Sequence, residues 1–237
     1  MLKKLTLHSA ALVALSSPSF AAVIANWNFQ SPNPADATNF AVYPNPIPAT
    51  VGTGNAGGTH VSAGADWTTP VGNGSTDSFS VNEWAVGDYF QFAVNTAGFS
   101  PIYVSFSQTS SGTGPRDFRL DYSSDGGTTF TPGPAYSVPA NAAPNAWSSV
   151  LPVPAAFFSF DLSGVPTLSN NANDIFRLVD TSTISANGGA VAVGGTDRVD
   201  DFTVSDSPIA PPIPEPSSMF ALVSGAALLA ARRRRIG

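Results

Sequence analysis

The chain contains no cysteine among its 237 residues. Disulfides, thiolate metal sites and cysteine nucleophiles are therefore excluded, and the usual clue to redox compartment is missing. Lysine is nearly absent too: Lys3 and Lys4 are the only two, and four of the eight arginines are Arg232 to Arg235. Between residues 22 and 216, fourteen aspartates and two glutamates face four arginines, leaving a net charge of −12. Phosphate backbones and anionic lipid repel such a body, so no nucleic-acid partner is expected. Histidine is confined to His8 and His60, and no G-x-S-x-G elbow occurs, which removes the parts needed for serine–histidine catalysis. His60 follows a glycine-rich stretch and reads as a solvated loop histidine. That stretch, "GTGNAGGTH", lacks the lysine and the following helix of a phosphate loop.

What is present points to export and to β structure. Met1 to Lys4 is basic, Leu5 to Leu15 is mostly apolar, and "SSPSFAA" ends in a small-x-small cleavage site. Cleavage is expected between Ala21 and Ala22, making residues 1–21 a signal peptide. With 43% hydrophobic and only 11% charged residues, the remainder fits one globular domain. Short alternating runs dominate it. "AVIANWNF", "DYFQFAV", "PIYVSFS", "DFRLDYS", "FFSFDLS", "DIFRLVD", "GAVAVGG" and "RVDDFTVS" give about eight strands separated by Gly, Pro, Ser and Asn clusters. The fold class expected is all-β, a single jelly-roll or Greek-key β-sandwich over residues 22–206.

The connections differ in kind. In "DYSSDGGTTF" the Asp125-Gly126-Gly127 turn supplies the positive-φ positions of a hairpin. Residues 44–75, rich in Gly and Thr, and residues 131–155, with six prolines, read as long loops, the second crossing between sheets because proline cannot donate to a ladder. Residues 207–216, "SPIAPPIPEP", form a stiff spacer.

After the spacer, Met219 to Ala231 gives thirteen mostly apolar residues before the arginines. As a helix this stretch spans about 20 Å, against roughly 30 Å of bilayer hydrocarbon. Snorkelling arginines make transient insertion feasible, with Arg232 to Arg235 on the cytoplasmic side and the acidic body outside. Pro214, Glu215 and Pro216, then a short apolar helix, then Arg232, Arg233, Arg234 and Arg235 at the very end resemble the PEP-CTERM sorting signal of Gram-negative bacteria. That resemblance implies that residues 217–237 are a C-terminal transmembrane sorting helix, inserted transiently in the inner membrane and read by an exosortase-type sorting transpeptidase. It also implies a genome that makes exopolysaccharide. A plain membrane anchor is the other reading of the same residues. Over the body, "DYFQFAVNTAGF", "SGTGPRDFRLDYSSDGGTTF" and "RVDDFTVS" resemble the β-sandwich ectodomains of PEP-CTERM proteins and, distantly, carbohydrate-binding jelly rolls.

Candidate chemistry is sparse. Strict alternation in "RVDDFTVS" puts Asp200 on the core-facing side with Phe202 and Val204, and a buried carboxylate needs a metal, an arginine or several donors. Similar jelly rolls often hold a structural calcium between first and last strands, so Asp200, with Asn28 or Gln30 from the first strand, is a candidate calcium site. Pairing with Arg198, or with backbone amides, serves Asp200 equally well. "DYSSDGGTTFTP" imitates a calcium loop, but its twelfth position is Pro132, and a hairpin is the better reading. Trp67, Trp84 and Trp147 lie in or near expected loops, where they would either stack on sugar rings or pack on the core. Glu83, the only glutamate of the body, and Asp88 are the one carboxylate pair available for glycoside hydrolysis.

These features lead to an exported, surface-sorted protein without catalysis, a structural or adhesive component of an exopolysaccharide or biofilm matrix. A carbohydrate-binding module that ties exopolysaccharide to the cell surface is the alternative. A glycan-active hydrolase is the weakest.

Overall fold

The computed structural model describes residues 21–213. The expected signal peptide, apart from Ala21, and the sorting helix with its Pro-Glu-Pro and arginine residues lie outside them. Among the described residues no helix is long and apolar enough to cross a membrane.

The described chain forms strands β1 (Val23–Trp27), β2 (Ile47–Pro48), β3 (Gly54–Thr59), β4 (Trp67–Thr68), β5 (Phe79–Val81) and β6 (Tyr89–Val94). They are followed by β7 (Tyr103–Ser110), β8 (Asp117–Ser123), β9 (Ala135–Ser137), β10 (Phe157–Asp161), β11 (Asp174–Asp180) and β12 (Asp197–Ser205). Two antiparallel sheets result. The first runs β10-β7-β12-β5-β4, with β1 also on β12, and the second runs β2-β3-β6-β11-β8-β9. From β6 onward the chain changes sheet at nearly every connection, the crossing habit of a jelly roll. The architecture is an all-β two-sheet sandwich.

Alternation places the core. Phe90, Phe92 and Val94 of β6, and Phe176 and Leu178 of β11, point inward while the residues between them are half-exposed. Phe202 of the first sheet stacks face to face on Phe92 of the second, ring centres 3.6 Å apart, and Trp27 meets both rings edge-on. Such contacts between large aromatics stabilise beyond the area they bury.

Three expectations need correction. The glycine-rich stretch 44–75 is not one loop but carries β2, β3 and β4. In β3, "GNAGGT", pairing is by backbone alone, and glycine is required: a Cβ on Gly58 would lie 2.6 Å from the Trp67 ring and 2.7 Å from the Tyr89 carbonyl oxygen. Without side chains there is no alternation to read. "GAVAVGG", by contrast, is no strand but a loop with a single bridge from Ala190 to Ile184, and its Val193 is exposed. The 131–155 segment contains the short β9 and then crosses from the second sheet to the first.

The third correction concerns β12. Its pairing with β7 shifts register between Asp200 and Thr203, and Asp201 adopts φ +51°. This is a β-bulge, an extra residue that resets which side the chain faces. Val199 and Phe202, three apart, both reach the core, so Asp200 lies on the outer face of the first sheet and not with Phe202 and Val204. The bulge falls where β12 changes neighbours, from β5 at Asp197 to Val199 to β1 at Phe202 to Ser205.

Candidate functional site

The outer face of the second sheet carries a row of polar residues on regular strands. Gly57, Gln91, Arg177 and Asp121 are successive register partners across β3, β6, β11 and β8. At the usual spacing of paired strands this row is about 14 Å long. Arg177 holds its guanidinium flat between two rings, 3.9 Å from the centre of Tyr89 and 3.6 Å from that of Phe130. Cation–π attraction fixes the plane. Its Nε donates to Gln91 Oε1 at 2.8 Å, and among the described residues the two Nη groups have no protein acceptor. Beside it Arg119 grips Asp121 through Nε and Nη2, so that carboxylate is already neutralised.

At the other end of the row the sheet is bare. A Cβ on Gly57 would meet nothing within 4 Å, and a groove of about 260 Å³ lies there, between β3 and the segment of Val42 and Pro46. The face thus combines half-exposed aromatic carbon, a rigid fork of donors and an unobstructed channel. Such a surface can accept the hydroxyls of a chain lying across the strands. Tyr89, Gln91 and Arg177 lie in the alternating runs "DYFQFAV" and "DIFRLVD", but only strand register shows that Gln91 and Arg177 are opposite each other, and Phe130 comes from the separate hairpin.

Asp200 is fully buried, under the 72–77 loop. Its Oδ2 accepts from the Asn73 amide at 2.8 Å and from Ser75 Oγ at 2.7 Å, and its Oδ1 accepts from the Asp201 amide at 2.9 Å. Burial, with the Asp201 charge beside it, pushes this carboxyl up to about 7 against the pull of those three donors. Arg198 does not pair with it but donates to the Val71 carbonyl at 2.7 Å and lies over Trp147. Asn28 and Gln30 give their side-chain oxygens to Thr50 and Thr76, not to Asp200. Of the two sequence readings, the donors are what surround Asp200, and among the described residues no group of three or more His, Cys, Asp or Glu is placed to hold a metal. In the hairpin, Asp125 accepts from Ser123 and Thr129, which holds its carboxyl down at about 2.

The three tryptophans are interior. Trp67 is fully buried and stacked on Phe79, while Trp84 and Trp147 are each 6% exposed. None offers an indole face to a sugar, because the expected loops around Trp67 and Trp84 fold as sheet edge and cover. His60 is likewise not solvated: it is packed between Trp67 and Trp84 at 5.1 and 4.4 Å, and burial lowers it to about 4. Asp88 is buried and spends its two oxygens on the Val61 and Ala85 amides, and Glu83 accepts from Ser62. This pair does not form an accessible acid and base facing a cleft.

Comparison with solved structures finds the CBM22-2 xylan-binding domain of Paenibacillus barcinonensis Xyn10C, at 10% identity and TM-score 0.44, covering 77% of this chain and 98% of that one. A family 35 carbohydrate binding module from Clostridium thermocellum matches at 22% identity and TM-score 0.32, covering 59% and 86%. The K2 cleaved adhesin domain of Lys-gingipain matches at 11% identity and TM-score 0.36, covering 59% and 80%. A comparison with curated proteins gave no match. At the C-terminus, beginning within the spacer that leaves the sandwich, residues 212–235 carry the PEP-CTERM protein-sorting motif.

Proposed function

We propose that this is an exported, non-catalytic carbohydrate-binding protein whose second-sheet face holds a neutral polysaccharide. The observation that carries the reading is the Arg177 guanidinium, clamped between Tyr89 and Phe130 with its Nη donors free beside a bare glycine strand. A fixed planar fork suits vicinal hydroxyls, and little side-chain entropy is left to lose on binding. The body's net charge of −12 disfavours acidic polymers at long range, which leaves uncharged chains as the better ligand. The sorting motif at 212–235 supports delivery to an exosortase-type transpeptidase after export, and so a role in tying exopolysaccharide to the cell surface. A purely structural matrix role has no comparable surface behind it.

Affinity gels containing xylan, mixed-linkage glucan or alginate test this reading. Retardation by a neutral polymer, lost in Arg177→Ala and Tyr89→Ala, is expected, with none by alginate. Equal mobility in every gel refutes it and returns the structural role to first place.

A further inference from the structure

The first sheet carries a second, different concavity. Beyond Ser205 the chain folds back, and Ile209, Ala210 and Pro212 roof a cavity of about 200 Å³ over the sheet's outer face. Its floor is Asn26 of β1, Thr203 of β12 and Ser105 and Ser107 of β7, and its wall is Phe157 of β10 with Asp201 of the bulge. The register explains the convergence, since Asn26, Thr203 and Ser105 are cross-strand partners in one row.

The hydrogen-bond inventory of this floor is incomplete. Asn26 Nδ2 donates to Thr203 Oγ1 at 2.8 Å, and Thr203 Oγ1 donates to the Asp201 carbonyl at 2.9 Å, so those groups are satisfied. Ser107 Oγ accepts from Asn73 but gives its proton to no protein atom among the described residues. The Ser105 hydroxyl has no protein partner among the described residues and opens on the cavity, and the carboxylate of Asp201, an exposed residue at the cavity's edge, has none either. These two hydroxyls and the carboxylate are therefore available to a ligand entering the cavity. Asp201 stands at φ +51° within a bulge, at a backbone cost of about 1 kcal/mol or more, and lines the cavity's open edge.

We propose that this cavity is a binding site for one neutral sugar ring, a chain end or a monosaccharide. The Asp201 carboxylate accepts two adjacent hydroxyls, Ser105 and Ser107 donate to ring or hydroxyl oxygens, and Phe157 covers the ring's C–H face. The site shares no residue with the Arg177 face, so the two stand or fall separately. Its roof is the segment that runs directly into the sorting motif, and an occupied site therefore ties that segment to the body.

Isotope-labelled full chain in detergent micelles, titrated with xylose, glucose, galactose and glucuronate, gives the test. Shifts at Ser105, Phe157, Asp201 and residues 207–213 are expected with at least one neutral sugar, and none with glucuronate. Asp201→Asn should weaken binding about tenfold, the loss of a charge-assisted hydrogen bond. Asparagine tolerates a positive φ, so this variant keeps the fold, and Phe157→Ala provides a second, uncharged probe. Arg177→Ala should leave these shifts unchanged. No shift with any neutral sugar, shifts confined to the Arg177 face, or binding unaltered in both Asp201→Asn and Phe157→Ala overturns the proposal. Equal binding of glucuronate does the same.

Discussion

Replacing Asp200 by asparagine should change how stability depends on pH. The Asp200 carboxyl titrates near 7 in the folded protein and near 3.8 when unfolded, because burial disfavours its charge. With the folded value raised, its contribution is fully present below about 3.8 and is lost as pH rises through about 7. Between pH 5 and 7 the unfolded chain is ionised while the folded one becomes so only near 7, so stability falls by about 2 kcal/mol over this range. For a domain of this size that is about 4 to 8 °C in Tm. At pH 5 the protonated group is accommodated when the Ser75 hydroxyl turns to donate to the Asp77 carbonyl, 3.1 Å away. The substituted carboxamide supplies one oxygen and one amide in the same place, so Asp200→Asn costs about 1 to 2 kcal/mol there, from one donor left unmet. By pH 8 the gap should close or reverse. Asp174 and Asp180, at about 7, are common to both proteins and cancel in the comparison, whereas Asp201, raised to about 6 by burial, adjoins Asp200, so the comparison reads the titration of this pair. Thermal unfolding followed by circular dichroism at pH 5 and pH 8 reads the difference. A gap that stays constant across that range refutes the reasoning, since it means that Asp200 is ionised throughout. A bound cation would produce that result, and the wild type alone would then lose stability in EDTA.

Three further outcomes follow from the packing. Phe202→Ala removes the ring stacked on Phe92 and should cost about 3 to 5 kcal/mol in urea denaturation, whereas a loss under about 1 kcal/mol denies this contact a central place. Gly58→Ala pushes a methyl into the Tyr89 carbonyl and should destabilise by several °C in Tm, while Gly57→Ala, one residue away and facing open space, should be nearly silent in Tm. His60, lowered to about 4 by burial, is neutral in the folded protein at pH 6. Its ring-proton NMR signal should hold still from pH 7 to 5 and move only near 4, and a midpoint near the ordinary 6.5 contradicts its burial.

Much of this architecture is readable in the chain itself, and for one reason: a half-buried strand writes its two faces into the sequence as alternation. Seven of the eight expected runs are strands, among them β6, β7, β8, β10 and β11. The acidic charge, the Asp125-Gly126-Gly127 hairpin and the C-terminal motif are likewise local properties of the chain. Strands β2, β4, β5 and β9, of two or three residues, and β3, built on glycine, leave no such signature. They exist because longer neighbours offer backbone partners.

The site depended on register and on cover, which no window of sequence contains. One extra residue at Asp200 and Asp201 turned a carboxylate expected in the core toward the outer face and left the next one facing a cavity. For Trp67, Trp84 and Trp147 the sequence allows either a sugar platform or a core position, and cover by distant segments makes all three interior. Nothing in "DIFRLVD" distinguishes Arg177, whose place between Tyr89 and Phe130 arises only in the folded chain. Composition and period record what each residue prefers locally, but burial and partnership belong to residues far apart in the chain. The sequence alone therefore carried the fold class and the sorting address, while which side chains meet, and which are left free for a ligand, was settled by packing.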